Sequence, residues 1–152
     1  MKPHRTDGID PAARSRARRR ALQALYAWQL SDSPIDKVIE QFRNEQDMEI
    51  ADLEYFEALV RGVARHAPEL DEVLSRYIDR TMAQVDPIER AVLRIAGFEL
   101  AHRPDVPYRV VINEAIETTK RFGAEHGHTY VNGVLDRAAA EWRAREIQGS
   151  RR

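Results

Sequence analysis

The sequence contains no cysteine and no long apolar run, and both absences narrow the range of functions. Without cysteine the chain has no disulfides, no thiol nucleophile and no cysteine zinc site. No stretch reaches the about 18 apolar residues that a membrane-spanning helix needs, and the charged N-terminus does not resemble a secretory signal. Motifs of phosphate-binding loops, serine hydrolases and zinc proteases are also missing. We therefore expect a cytoplasmic protein that is not an enzyme and needs no cofactor.

Apolar side chains are frequent enough for one domain, and the charges are unevenly distributed. Apolar residues make up 43% of the 152 residues, which suits a single core. The net charge is only -1, but residues 1–20 carry seven basic and two acidic side chains, against 17 and 23 in the rest. A concentrated basic end favours binding to a polyanion such as nucleic acid. The alternative is a tail that only improves solubility.

Apolar residues recur with helical spacing along the chain, and no segment alternates as a strand would. The pattern predicts an all-α protein of about seven helices: the first from Ala12 to Leu30, then helices near 35–42, 53–63 and 68–78, a central helix near 87–100 and two more near 112–122 and 131–142. Asp86 should cap the central helix, with Pro87 in its first turn and Glu89 reaching back to the cap. Short connections imply a compact antiparallel bundle.

The pattern predicts one helical domain with a flexible segment at each terminus. Residues 1–11 should form a flexible basic arm, residues 12–147 the helical domain, and residues 148–152 a frayed tail. No linker is long enough to separate two independent domains, although two packed subbundles inside one domain are compatible with the pattern. Gly133 lies within the last predicted helix, where we interpret it as a position of close helix packing.

An arginine-rich segment opens the first helix. Its members are Arg14, Arg16, Arg18, Arg19 and Arg20, and they project around much of the helix. Like charges at this density repel one another unless solvent or phosphate groups neutralise them. We therefore predict that this segment binds the phosphates of a polyanion such as nucleic acid and that binding weakens with salt. Tyr26 and Trp28 follow on the same helix, either in the core or exposed to stack on bases or anchor a partner.

The connection before the last predicted helix mixes cations, aromatic rings and glycines. It runs from Lys120 through His126 and Thr129 to Tyr130, and Asn132 follows inside the helix. Charges for phosphates, rings for stacking and a backbone that permits close approach favour an RNA site, and the helix start offers N–H groups to an anion. The alternative is an ordinary helix connection. Its two histidines, without further nearby ligands, do not predict a metal site.

Several segments occur in the order and spacing of the bacterial NusB family of transcription antitermination factors, which the sequence resembles from about Arg14 to Trp142. These segments are ALQALYAWQ at 21–29 after the arginines, ERAVLRIA at 89–96 followed by Glu99-Leu100, DVPY at 105–108, VINEAI at 111–116 and VNGVLD at 131–136. The resemblance implies an all-helical fold of two packed subbundles and no catalysis. It also implies binding to boxA, a short single-stranded RNA element of ribosomal RNA leaders.

The family resemblance further implies partners and contact residues. The partner is NusE, a small-subunit ribosomal protein, and the pair would act on elongating RNA polymerase with other Nus factors. The RNA contacts implied are Arg14, Arg16 and Arg18, with Arg19 and Arg20 adding charge, and Lys120, His126, Thr129, Tyr130 and Asn132. Tyr26 and Glu89 would lie on the NusE face. The family often has phenylalanine where this chain has Tyr130.

Two alternatives remain beside the antitermination hypothesis. A similar helical domain occurs in certain ribosomal RNA methyltransferases, but this sequence lacks the glycine-rich loop that would bind a methyl donor. The chain could also be a protein-interaction scaffold or a homodimer whose arginine arm only improves solubility.

Overall fold

The computed structural model describes residues 9–45 and 51–150, and within them it is all-helical. The helices are α1 (Pro11–Gln29), α2 (Ile35–Glu45), α3 (Leu53–Leu74), α4 (Pro87–His102), α5 (Tyr108–Phe122), α6 (Gly127–Trp142) and α7 (Ala144–Ser150), with a short 3-10 helix at Met82–Gln84. The predicted all-α class is confirmed. None of these helices combines the length and apolar character that crossing a bilayer requires.

The starts of α1 and α4 follow the capping signals of the sequence. Asp10 caps α1 by accepting a hydrogen bond from the Ala12 N–H at 3.0 Å, so the helix begins where the predicted arm ends. Residues 1–8 of that arm lie outside the described residues. Asp86 caps α4 through Ile88 N–H at 2.9 Å, as predicted. The Glu89 side chain does not complete this cap and is buried against the start of α6.

Helix α4 is the central element of two packed subbundles. It contacts α1 and α3 on one side and α5 and α6 on the other, while α2 completes the first group. Its residues 91–93 and 95–100 are all buried, which explains why the sequence is apolar over such a wide arc. The prediction of a central helix between two subbundles is therefore confirmed.

The structure corrects the predicted helix boundary at Pro68. We expected a new helix there, but α3 continues through Pro68 to residue 74. A proline inside a helix removes one backbone hydrogen bond. Buried Val63 and Leu70 lie on either side of it, and their packing in the shared core outweighs that loss. Tyr77 and Ile78, placed in the fourth helix by their spacing, lie beyond the end of α3.

The C-terminal segment forms a short helix where fraying was expected. Helix α7 continues to residue 150, past the predicted boundary at 147. The Arg143 side chain just before it donates to the Leu100 carbonyl at 2.7 Å, and Glu146 accepts a hydrogen bond from Tyr108 N–H at 2.8 Å. These two contacts hold the segment against the ends of α4 and α5.

Close helix packing occurs at glycines other than Gly133. A Cβ on Gly62 would lie 2.2 Å from the Phe98 ring, and one on Gly97 would lie 3.2 Å from Trp142. A Cβ on Gly133 would meet nothing within 4 Å. The interpretation of Gly133 as a packing position was therefore wrong, because its α-carbon faces open space.

Candidate nucleic-acid interface

Arg18 lies in the protein interior. The residue is 5% exposed, and its guanidinium donates to the Glu99 carboxylate through Nε at 3.0 Å and Nη2 at 2.8 Å. Tyr55 donates its hydroxyl to the same carboxylate. A buried charge is tolerated only when it is paired and hydrogen-bonded, and here both conditions hold. The prediction that Arg18 contacts RNA is corrected on this ground, because its donors serve the core.

The surroundings of Tyr55 and Arg18 raise the pKa values of both side chains. Burial and then the Glu99 charge raise the pKa of Tyr55 above its ordinary value, so the hydroxyl remains protonated and donates. Burial lowers the pKa of Arg18, but the hydrogen bond to Glu99 and the charge of that carboxylate raise the pKa by more than burial lowers it. The guanidinium therefore stays cationic.

Arg14 is largely buried one turn before Arg18, on the same side of α1, and both guanidinium groups lie near the Tyr55 ring. Its guanidinium carbon lies 4.1 Å from the centre of the Tyr55 ring, and its nitrogens lie 3.8 Å from Asp52 and 3.7 Å from Asp105. Its side chain is 13% exposed. Since two carboxylates already compensate this charge, Arg14 is poorly placed to hold a phosphate.

Arg16, Arg19 and Arg20 are half-exposed and meet at one groove. The groove, called the arginine groove below, is lined by Arg16, Arg19, Arg20, Gln23, Ala51, Arg121 and Phe122. It brings α1 together with the last turn of α5, about 100 residues later in the chain. Three of the five predicted arginines therefore converge on one surface.

The arginine groove concentrates positive charge. Partial burial lowers the pKa of Arg19, and the charges of Arg121, Arg16 and Arg20 lower it further, although Glu114 opposes them. The part of this shift that comes from the neighbouring arginines reflects repulsion of Arg19 by like charges. An anion in the groove would relieve that repulsion, and the planar guanidinium groups match the oxygens of a phosphate.

Of the four lining residues that were not among the predicted contacts, Arg121 and Phe122 combine a cation with an aromatic ring. They end α5, and the Arg121 guanidinium carbon lies 5.7 Å from the Phe122 ring centre. Both belong to the mixed basic and aromatic segment noted in the sequence. That composition was a usable signal, but only the packing of α5 beside α1 places these two residues with the arginines.

The other predicted RNA contacts lie around the α5–α6 connection. Lys120, His126 and Thr129 are exposed, while Asn132 is half-exposed. Lys120 lies 3.7 Å from Glu117 in an ion pair along α5. His126 has φ 71°, a left-handed conformation that only a few per cent of non-glycine residues adopt.

Tyr130 is half-buried beneath a neighbouring cation. The Arg80 guanidinium carbon lies 4.7 Å from its ring centre, and its hydroxyl oxygen is buried. Burial raises the pKa of this hydroxyl. One face of the ring is thus already covered, which limits stacking on a base to its remaining surface.

The start of α6 already faces a carboxylate. Glu89 Oε2 lies 3.1 Å from where a Cβ on Gly127 would be, so the expected anion position at this helix start faces the protein's own acid. Burial and the neighbouring Asp86 raise the pKa of Glu89. At 8% exposure, Glu89 cannot form an open partner surface, and its predicted place on the NusE face is corrected.

Tyr26 is exposed on α1, together with Leu30 one turn later. Their exposed fractions are 36% and 59%, among the highest for large apolar side chains in the described residues. Trp28 is half-buried and packs against the core. Of the two aromatic residues whose placement the sequence left open, Tyr26 is thus the one available to a partner.

Comparison with known proteins gives the family. The model of the NusB family matches residues 15–140. The chain belongs to the NusB family. The transcription antitermination protein NusB of Stenotrophomonas maltophilia (strain K279a) is 66% identical over 142 residues, which cover 93% of this chain and 89% of that protein. NusB of Xanthomonas axonopodis pv. citri (strain 306) is 68% identical over 146 residues, covering 96% and 92%.

Solved NusB structures share the fold. Thermotoga maritima NusB is 30% identical with a TM-score of 0.77, covering 88% of this chain and 96% of that one. A crystal structure of antitermination factors NusB and NusE in complex with dsRNA matches with a TM-score of 0.77 at 24% identity, covering 84% and 96%. At that identity the second match shows the fold alone.

Proposed function

We propose that this protein is a cytoplasmic transcription antitermination factor that binds boxA RNA together with NusE and performs no catalysis. Membership of the NusB family, with antitermination proteins 66% and 68% identical, supports the antitermination role. A structural relative solved with NusE and dsRNA supports partners of this kind. Other Nus factors would connect the complex to elongating RNA polymerase.

The observation that carries the RNA proposal is the arginine groove. Arg16, Arg19, Arg20 and Arg121 come from two helices and line one groove, and after burial the charges of the other three contribute to the lowered pKa of Arg19. An RNA backbone would bring phosphates to this concentration of positive charge and release counterions as it binds. The Phe122 ring at the same groove offers an apolar face to an unstacked base.

Residues outside the groove extend the proposed surfaces. We assign Lys120, His126 and Thr129 to the RNA surface because they are exposed beside the end of α5. Tyr130 and Asn132 are half-buried, so their contribution should be smaller. For NusE we retain only Tyr26, since an exposed tyrosine beside the apolar Leu30 suits the centre of a protein interface.

The test compares two single variants at opposite ends of α5. Arg121→Gln removes a cation from the groove, whereas Arg109→Gln removes an exposed arginine from the first turn, about 18 Å away along the helix axis. Binding of labelled boxA RNA and a scrambled RNA is measured at two salt concentrations, with and without NusE. Both variants are checked by circular dichroism.

Arg121→Gln should weaken boxA binding by about tenfold or more, the loss of a charge-assisted hydrogen bond. The slope of log K against log salt should decrease by about 0.7 for each lost phosphate contact with single-stranded RNA. Arg109→Gln should leave both quantities unchanged. Equal losses in the two variants, or equal weak binding of boxA and scrambled RNA with NusE present, would contradict the proposal and favour a protein-interaction scaffold.

A further inference from the structure

Two histidines and a glutamate meet where α3 lies against the end of α4. His66 and Glu69 are one turn apart on α3, and His102 is the last residue of α4. One ligand atom from each lies within 4.8 Å of the other two. The imidazole ring centres are 4.2 Å apart, and His66 Nδ1 is 3.5 Å from Glu69 Oε2. None of these residues lines the arginine groove.

We propose that His66, Glu69 and His102 form a binding site for one divalent transition-metal ion, of the zinc, nickel or copper class. Two imidazole nitrogens with one carboxylate oxygen are donors that these borderline ions prefer, whereas calcium and magnesium prefer oxygen alone. Three protein ligands leave one coordination position to water at the exposed edge of the cluster.

The His66 nitrogen supplies a second, independent observation. Its Nδ1 is buried and has no hydrogen-bond partner among the described residues, and the Glu69 contact at 3.5 Å does not meet hydrogen-bond geometry. A buried polar atom without a partner is costly, and a metal ion at this position would satisfy it. A buried nitrogen without a hydrogen bond therefore favours a ligand over a simple stack of two rings.

The surrounding structure restrains the backbone and leaves the ligands adjustable. The Phe98 ring backs both histidines, with ring centres 6.2 Å from His66 and 5.4 Å from His102. Zinc bonds of about 2.0–2.2 Å require ligand atoms to move closer together than they now are. Glu69 and His102 are exposed and can turn on fixed helices, which would replace ring stacking by edge-on coordination.

The test titrates zinc chloride alone into the full chain without a histidine tag, using isothermal calorimetry in a buffer that does not bind metal. His102→Gln and Glu69→Gln each remove one exposed ligand. The matched control is the double variant His126→Gln with His128→Gln, which removes two histidines from the α5–α6 connection. Cobalt chloride absorption gives an independent readout of coordination.

One zinc ion should bind per chain, and each ligand variant should weaken that binding by at least about tenfold, since even outer-shell changes cost 10–100-fold. The control should bind as the parent chain does. The proposal is overturned if the parent chain binds no zinc, or if the control loses binding while His102→Gln retains it. No RNA enters this experiment, so its result is independent of the proposed function.

Discussion

Replacing Arg18 by methionine tests whether this arginine serves the core or the RNA. Methionine keeps an unbranched stem of similar length but removes the guanidinium, so Glu99 at 1% exposure is left with the Tyr55 hydroxyl and a charge without its cation. Removing one partner of a buried ion pair costs about 3–5 kcal/mol. For a chain of this size, that loss corresponds to a decrease in Tm of roughly 6–20 °C.

Urea unfolding followed by circular dichroism measures the loss as a decrease in midpoint at constant slope. The double variant Arg18→Met with Glu99→Gln provides the control, since the amide carries no charge and its oxygen still accepts from Tyr55. We expect it to recover about 2 kcal/mol or more, because the uncompensated charge is gone. Arg16→Met, which removes a half-exposed arginine, should change stability by less than about 1 kcal/mol.

RNA binding separates the two roles of the arginines. Measured well below its Tm, folded Arg18→Met should bind boxA RNA nearly as the parent chain does, whereas Arg16→Met should bind it more weakly. The reasoning is refuted if Arg18→Met unfolds within about 1 kcal/mol of the parent chain and yet loses RNA affinity, since a solvent-facing contact would then be required.

Two further predictions concern glycines and a buried acid. Gly62→Ala should lower the free energy of unfolding in urea by about 1–3 kcal/mol, because the added methyl group would overlap the Phe98 ring. Gly133→Ala should raise it by about 0.5–1 kcal/mol, because alanine is the better helix former and its methyl group would meet no atom within 4 Å. The opposite order of stabilities would contradict the packing described. The raised pKa of Glu89 means that the folded state binds its proton more tightly than the unfolded chain, for which the ordinary value is 4.5. The contribution of this tighter proton binding to the free energy of unfolding is complete below pH 4.5 and is lost as the pH rises through the pKa of Glu89 in the folded state. The free energy of unfolding of Glu89→Gln, relative to that of the parent chain, should therefore increase from about pH 4 to pH 7. A constant difference between the two proteins across that range would show that the carboxyl is not perturbed.

The helices and their family were accessible from local sequence. Helical spacing located most of the elements, and Asp86 with Pro87 marked the start of α4, because capping depends on residues within one turn of each other. The same reasoning wrongly predicted a helix boundary at Pro68. A rule based on neighbouring residues does not include the burial of Val63 and Leu70 in the core, which compensates for one lost hydrogen bond.

The site depended on contacts between distant parts of the chain. In the sequence, only the neighbouring histidines at 126 and 128 were considered as metal ligands. The cluster of His66 and His102 joins residues 36 positions apart on two helices, so local spacing does not reveal it. Likewise, Arg121 reaches the arginine groove only because the end of α5 lies beside α1.

Periodicity, caps and charge predicted an all-helical protein with a basic first helix, because these are properties of neighbouring residues, and the order of the motif segments indicated the NusB family. Which of its arginines are buried and which are open to solvent depends on contacts between distant helices, and neighbouring residues do not reveal it. Arg18 turns inward because Glu99, 81 positions later, supplies the buried carboxylate that its charge requires, while Arg16, Arg19 and Arg20 have a groove open to solvent.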